Sequence, residues 1–197
     1  MTYNPRDRYF KKAKEEGFAA RSVFKLEEID KKYKIFKGSG QTVLDLGASP
    51  GSWSQYASKV VGPKGRVLGV DLSPVTVKLP NAVFIQADLR DLNLEDIFTE
   101  HGFHPPFDIV MSDMAPKTTG IRMTDQARSM ELCELALDVA RKFLRKDGHF
   151  VCKLFHSDDF AKLRDEIKKS FAKCEVMKPD STRKISKEIF LIGLNKK

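Results

Sequence analysis

From Thr42 onward, short apolar runs alternate with helical stretches, and this rhythm restricts the chain to a small set of folds. The runs are TVLDL at 42–46, RVLGV at 66–70, AVFIQ at 82–86, FDIVMS at 107–112 and HFVCKLF at 149–155. Helices are predicted over about 52–61, over 94–100, from about Asp125 to Arg145, and over 158–172. The long third helix gathers Met130, Cys133, Leu137, Ala140 and Leu144 on one face, and Gly148 beyond its end reads as a stop signal. Two further strands, KCEVMK at 173–178 and EIFLIGL at 188–194, read as an antiparallel hairpin at a sheet edge. Right-handed crossovers make the early strands parallel, so the expected architecture is a doubly wound, Rossmann-like α/β sheet of about seven strands. Before it, residues 7–16 and 22–34 read as short helices, the second with Ser22 as its N-cap.

At 197 residues, with no repeat and no long linker, the chain is expected to form one domain over 1–197, with 1–37 packed on it as a basic helical extension. The charge is divided unevenly along it. Residues 1–37 carry a net +5 and residues 178–197 a net +4, while residues 38–177 carry −1. A neutral body with basic ends suits a polyanionic partner such as nucleic acid. Lys11, Lys12, Arg21, Lys31, Lys32 and Lys34 are the candidate phosphate contacts. Cys133, Cys152 and Cys174 are widely spaced in apolar segments, as in a reducing compartment. No apolar run approaches the roughly 18 residues of a membrane span, so a cytoplasmic protein is expected. A monomer is the default. His101 and His104 lack a third ligand nearby, and no metal is expected there.

The turn after the first strand is Gly47-Ala48-Ser49-Pro50-Gly51-Ser52-Trp53. A dinucleotide turn offers three spaced glycines, whereas this one has two, and Pro50 removes an amide donor. Carboxylates end successive strands at Asp45, Asp71, Asp88 and Asp113. Around phosphates such a set repels, and around a cationic sulfonium it attracts. Asp71 is placed for ribose hydroxyls and Asp88 for an adenine amino group, with Trp53 either beside the cofactor or in the core.

Lys153 is a charge inside the apolar strand HFVCKLF, which makes sense if it reaches a cleft at the strand end. Asp113 ends FDIVMSD in the same way, and Glu188 opens EIFLIGL. A neutral lysine can serve as base toward a hydroxyl when burial or a second cation lowers its pKa. Two lysines with two carboxylates therefore suit methyl transfer to a hydroxyl.

The ordered segments RSVFKLEEID, VLDLGASPGSWSQ, GVDL, QADLRD, SDMAPKTTG, VCKLF and KPDSTRKISKEIFLI resemble the FtsJ/RrmJ family of RNA 2′-O-ribose methyltransferases across nearly the full chain. The resemblance implies a catalytic tetrad of Lys25, Asp113, Lys153 and Glu188, with Lys153 as proton acceptor. It also implies S-adenosyl-L-methionine contacts at Gly51, Trp53, Asp71, Asp88 and Asp113. Where the family's turn reads GAAPGGW, this chain has Ser49 and Ser52. The ribosomal branch acts on a uridine of large-subunit rRNA, so RNA, free or in the large ribosomal subunit, is the expected partner. The alternatives are a tRNA or mRNA-cap enzyme, a small-molecule methyltransferase, a noncatalytic RNA-binding module and an NAD-dependent dehydrogenase.

The charge distribution makes RNA affinity steeply salt-dependent: log K should fall linearly with log salt, by about 0.7–0.9 per phosphate neutralised. Charge reversal at the candidate phosphate contacts should flatten the slope in a filter-binding titration. A flat response shared by wild type and variants would remove the nucleic-acid reading.

Overall fold

The computed structural model describes residues 8–157 and 160–197. The expected helix starts at residues 7, 158 and 159 lie outside the described residues. The elements run α1 (Arg8–Glu15), α2 (Val23–Tyr33), β1 (Thr42–Leu46), α3 (Ser52–Val61), β2 (Arg66–Asp71), β3 (Ala82–Gln86), α4 (Leu94–Glu100), β4 (Phe107–Ser112), α5 (Arg122–Phe143), β5 (Leu144–Phe155), α6 (Phe160–Ser170), β6 (Phe171–Met177) and β7 (Glu188–Lys196).

All seven strands form one sheet in the order β3-β2-β1-β4-β5-β7-β6. β1 to β5 pair in parallel, and β7 pairs antiparallel with both β5 and β6. The last two strands form an antiparallel hairpin at the sheet edge as expected, with β6 outermost and β7 between it and β5. Five consecutive buried residues, Ile189–Gly193, suit the inner position, and the less buried β6, with Lys173 and Glu175, suits the outer one. Strands covered on both faces read as unbroken apolar runs.

Side chains alternate across each strand, and two cores result. Leu44, Leu46, Val110, Phe150, Cys152 and Leu154 pack beneath α4, α5 and α6, through Phe98, Leu137, Phe143 and Ile167 among others. Val43, Ile109, Met111, Val151, Phe190 and Ile192 face α2 and α3, through Leu26, Ile29, Trp53 and Ala57. A smaller cluster of Ala13, Val23 and Phe24 docks α1 on α2. Gln55 of α3 ties this extension down: its Oε1 accepts from Ala19 N at 2.8 Å and its Nε2 donates to Gly17 O at 3.0 Å.

Two expected boundaries are set differently. Ser22 precedes α2 in a helical conformation and makes no capping bond. Its hydroxyl meets Ser52 Oγ at 2.8 Å and its carbonyl accepts the Trp53 indole N–H at 2.9 Å, so the packing of α2 on α3 takes over the groups that would have capped. Gly148 does not stop α5. The helix passes directly into β5 at the extended Leu144, and the left-handed residue of the bulge is Asp147, with φ 60°. Gly148 is required for space, because a Cβ there would stand 2.8 Å from the Leu144 side chain.

His149 is buried within β5, accepting from Asn195 N at 3.3 Å through Nδ1, while its Nε2 is buried without a hydrogen bond. Burial, with help from Lys37 and Arg145, pushes its pKa down to about 4. A histidine depressed in the folded state contributes stability that is complete above about pH 6.5 and is lost as pH falls through about 4. Wild-type Tm should therefore drop over that window relative to His149→Gln, by an amount on the order of a few degrees in calorimetry. Parallel curves for the two proteins would contradict the assignment.

Candidate active site

Sheet register assembles the charged residues. Ser112 of β4 pairs with Cys152 of β5, so Asp113 and Lys153 emerge side by side one step beyond. Lys153 follows Val151 by two residues and therefore shares the face covered by α2 and α3. On the other side of β5, Phe155 pairs with Glu188, which brings the first residue of β7 to the same edge. Lys25, in the first turn of α2, reaches down to it.

The four residues resolve into two ion pairs. Lys153, only 8% exposed, has Nζ 3.0 Å from Asp113 Oδ1 and donates to the Asp113 carbonyl at 2.5 Å. Lys25 Nζ lies 2.6 Å from Glu188 Oε1 and 5.9 Å from the centre of the Phe190 ring. Pairing is what permits such burial, since an isolated buried charge is prohibitive. Cys133 Sγ contacts the Lys153 carbonyl at 2.8 Å, tying α5 to the same residue.

Two clefts meet here. The first, about 390 Å³, lies beyond the carboxyl ends of the parallel strands, where strand order reverses between β1 and β4. Gly47, Ser49, Asp71, Asp88, Arg90, Asp113 and Lys153 are on its walls. The second, about 780 Å³, is bounded by Arg21, Lys25, Lys117, Lys153, Arg183, Ile185 and Glu188. Lys153 and Ala115 line both. The first cleft is rich in carboxylates and the second in cations.

Several details shape the first cleft. Asp71 accepts from Ser49 N at 2.9 Å and from Ser73 N at 2.7 Å, which fixes its carboxylate at the strand end. Asp88 is engaged by Arg90 at 2.9 Å and 2.5 Å, and these bonds hold its carboxyl down to about 2. Asp113 Oδ1 is buried and, apart from its ion pair, accepts no hydrogen bond. Gly47, with φ 80°, has Met114 so close that a Cβ would sit 2.6 Å from its Cγ. Gly51, with φ 113°, is pressed beneath Val77, 2.3 Å from where a Cβ would be.

Other expected positions differ. Asp45 does not reach either cleft; it is fully buried beneath the turn, where Ser54 donates to its Oδ2 at 2.5 Å, and burial pushes its carboxyl up to about 7. Trp53 is 2% exposed and packs 5.8 Å from Phe190, so its indole sits in the core and not on the first cleft. Of the expected phosphate contacts, Arg21 borders the second cleft. Lys12 pairs with Glu16, Lys31 pairs with Glu27 and Lys32 lies over Tyr33. Lys34 is nine residues past Lys25 along α2, about 13 Å away at 1.5 Å per residue. Lys11 is on α1, outside both clefts. Sequence reasoning missed Lys117 and Arg183, which sit in polar loops where charge is ordinary; only the three-dimensional convergence marks them.

Removing one member of a buried pair strands the other. Lys25→Met alone should lower stability by about 3 kcal/mol, and Lys25→Met/Glu188→Leu together should be more stable than either single variant in urea unfolding. Additive losses would show that the pair is not coupled.

A model described as FtsJ-like methyltransferase matches residues 18–196. A Bdellovibrio bacteriovorus protein named ribosomal RNA large subunit methyltransferase E is 87% identical over 197 residues, covering 100% of both chains. A Syntrophobacter fumaroxidans protein of the same name is 52% identical over 196 residues, 98% of each. A solved Plasmodium falciparum structure described as a ribosomal RNA methyltransferase superposes with a TM-score of 0.74 at 26% identity, over 91% of this chain and 98% of that one. The fold also matches Aeropyrum pernix fibrillarin with bound S-adenosyl-L-methionine, with a TM-score of 0.62 at 17% identity, over 88% of this chain and 76% of the other. With the match spanning nearly every described element, from α2 through β7, the chain belongs to the FtsJ-like methyltransferase family.

Proposed function

We propose that this protein transfers a methyl group from S-adenosyl-L-methionine to a ribose 2′-hydroxyl of large-subunit ribosomal RNA, with Lys153 as the proton acceptor. The observation that carries the reading is the meeting of an acidic and a basic cleft at one buried lysine. The relatives named for large-subunit rRNA support the choice of RNA.

The acidic cleft fits the cofactor. Bound there, S-adenosyl-L-methionine supplies an electrophilic methyl on a positively charged sulfur. Asp71, already oriented by two backbone amides, accepts from ribose hydroxyls. Asp88, held ionised by Arg90, accepts from the adenine amino group. Asp113, its Oδ1 held by Lys153, adds negative charge to the cleft wall for the sulfonium. Gly47 lines this cleft and leaves room for Met114, whereas Gly51, off the cleft wall, leaves room for Val77 to pack on the turn. Trp53 contributes indirectly, by bonding Ser22 and so locking α2 against the turn.

On the basic side, Arg21, Lys117 and Arg183 attract the phosphates that flank the target ribose. Lys25, its charge balanced by Glu188, orients the hydroxyl. With its own ammonium proton first released to solvent, Lys153 would keep its bond to the Asp113 carbonyl and accept the hydroxyl proton as the ribose oxygen displaces the cofactor's sulfur from the methyl carbon. DNA has no 2′-hydroxyl and is not a substrate.

The test is incubation with methyl-labelled S-adenosyl-L-methionine and undermodified large ribosomal subunits, followed by alkaline hydrolysis of the RNA. Label should appear in an alkali-resistant dinucleotide, because alkali requires a free 2′-hydroxyl. Lys153→Ala should lower kcat by about 10²–10⁴-fold with cofactor affinity nearly intact, whereas Asp71→Ala should weaken cofactor binding first. Label only in tRNA, capped mRNA or a small molecule would replace the rRNA reading, and turnover above about a tenth of wild type in Lys153→Ala would refute the base assignment.

A further inference from the structure

Among the described residues, Ile185 is the only large exposed apolar side chain on the walls of the basic cleft, and it is 91% exposed. A single exposed apolar residue ordinarily needs no explanation, but the setting of this one is unusual. It lies between Lys184 and Lys187 in the loop 178–187, beside Arg183. The loop that carries it is braced. Glu28 accepts from Asp180 N at 2.6 Å and Ser181 N at 2.9 Å, Lys178 Nζ donates to Ser186 O at 2.8 Å, and His156 N donates to Lys187 O at 2.9 Å. Ser181 and Thr182 are buried. A β-branched side chain on a fixed backbone has little rotamer freedom left to lose on contact.

The cleft is cationic, so its occupant is a polyanion, and the apolar surface a nucleic acid offers is the face of a base. A ribose hydroxyl must also descend to Lys153, which is 8% exposed, and a nucleotide within a helical stack cannot bring its ribose that deep without leaving the stack. Resting on the function proposed above, we propose that Ile185 is a positioning residue for the RNA: an apolar wedge that packs on the base next to the target nucleotide and fills the gap left when that nucleotide is drawn into the cleft. Apolar side chains inserted between base steps are an established way to stabilise unstacked nucleic acid.

The experiment compares kcat/KM on undermodified large subunits with kcat/KM on an RNA fragment in which the mapped target nucleotide is already unpaired and unstacked. Ile185→Ala should lose about tenfold on the subunit, equivalent to about 1.4 kcal/mol, and clearly less on the unstacked RNA. Ile185→Met should recover most of the loss. As a readout independent of turnover, 2-aminopurine placed next to the target should brighten on binding wild type and stay dim with Ile185→Ala. Equal losses on both substrates, or no loss, would overturn the wedge while leaving the methylation reading intact. A wild-type protein that labels neither substrate would instead overturn the rRNA reading, and the wedge with it.

Discussion

The ammonium group of Lys153 is the constraint on which the rest of the site depends. A lysine this deep is tolerable only beside an acceptor, and the parallel pairing of β4 with β5 supplies one by placing Asp113 alongside it. The carbonyl and carboxylate of a single residue both approach Nζ, so the position of the amine follows from the register of two strands and not from a flexible loop. Cys133 on α5 reaches the same lysine's carbonyl, and Phe190 on β7 pairs with it across the sheet. The proposed reacting nitrogen is thus held by elements from both layers.

That placement divides the surface electrostatically. On the strand-end side of Lys153 the walls carry Asp71, Asp88 and Asp113; on the α2 side they carry Arg21, Lys117 and Arg183. A cationic methyl donor and an anionic acceptor would each be drawn to the proper side, since each meets opposite charge there and like charge on the other. Asp45 illustrates the limit of the carboxylate pattern. It ends a strand like the others, yet it is sealed beneath the turn against Ser54, where burial pushes its carboxyl up to about 7.

Much of this was legible in the chain because strand charges are anomalies. Lys153 within HFVCKLF and Asp113 after FDIVMS can be read as site residues from the apolar residues around them. Lys25 cannot, because a lysine on a helix is ordinary, and its pairing with Glu188 depends on how α2 lies across the sheet. Ser22 looked like a cap because local sequence favours one; its carbonyl and hydroxyl are instead taken by Trp53 and Ser52, a contact across 30 residues that no local rule contains. The interior position of β7 did have a signal. EIFLIGL is apolar at nearly every position while KCEVMK alternates, the mark of a strand covered on both faces next to one that is not.

The reversal of β7 also explains why both the carboxylate Glu188 and a basic loop appear at the working edge. Parallel strands deliver their last residues to that edge, which is why Asp71 and Asp113 arrive there from β2 and β4. An antiparallel strand delivers its first residue, so Glu188 at the start of β7 stands beside Phe155 at the end of β5. β6, antiparallel to β7, ends at the same edge, and the chain between them, residues 178–187, must cross it. One inverted strand therefore brings the partner of Lys25 and, within the same short stretch, Arg183 and Ile185 to the mouth of the basic cleft. With a parallel β7, Glu188 would fall at the opposite end of the sheet, about 25–30 Å away at roughly 3.3 Å per residue over a nine-residue strand, and Lys25 would lose its counter-charge.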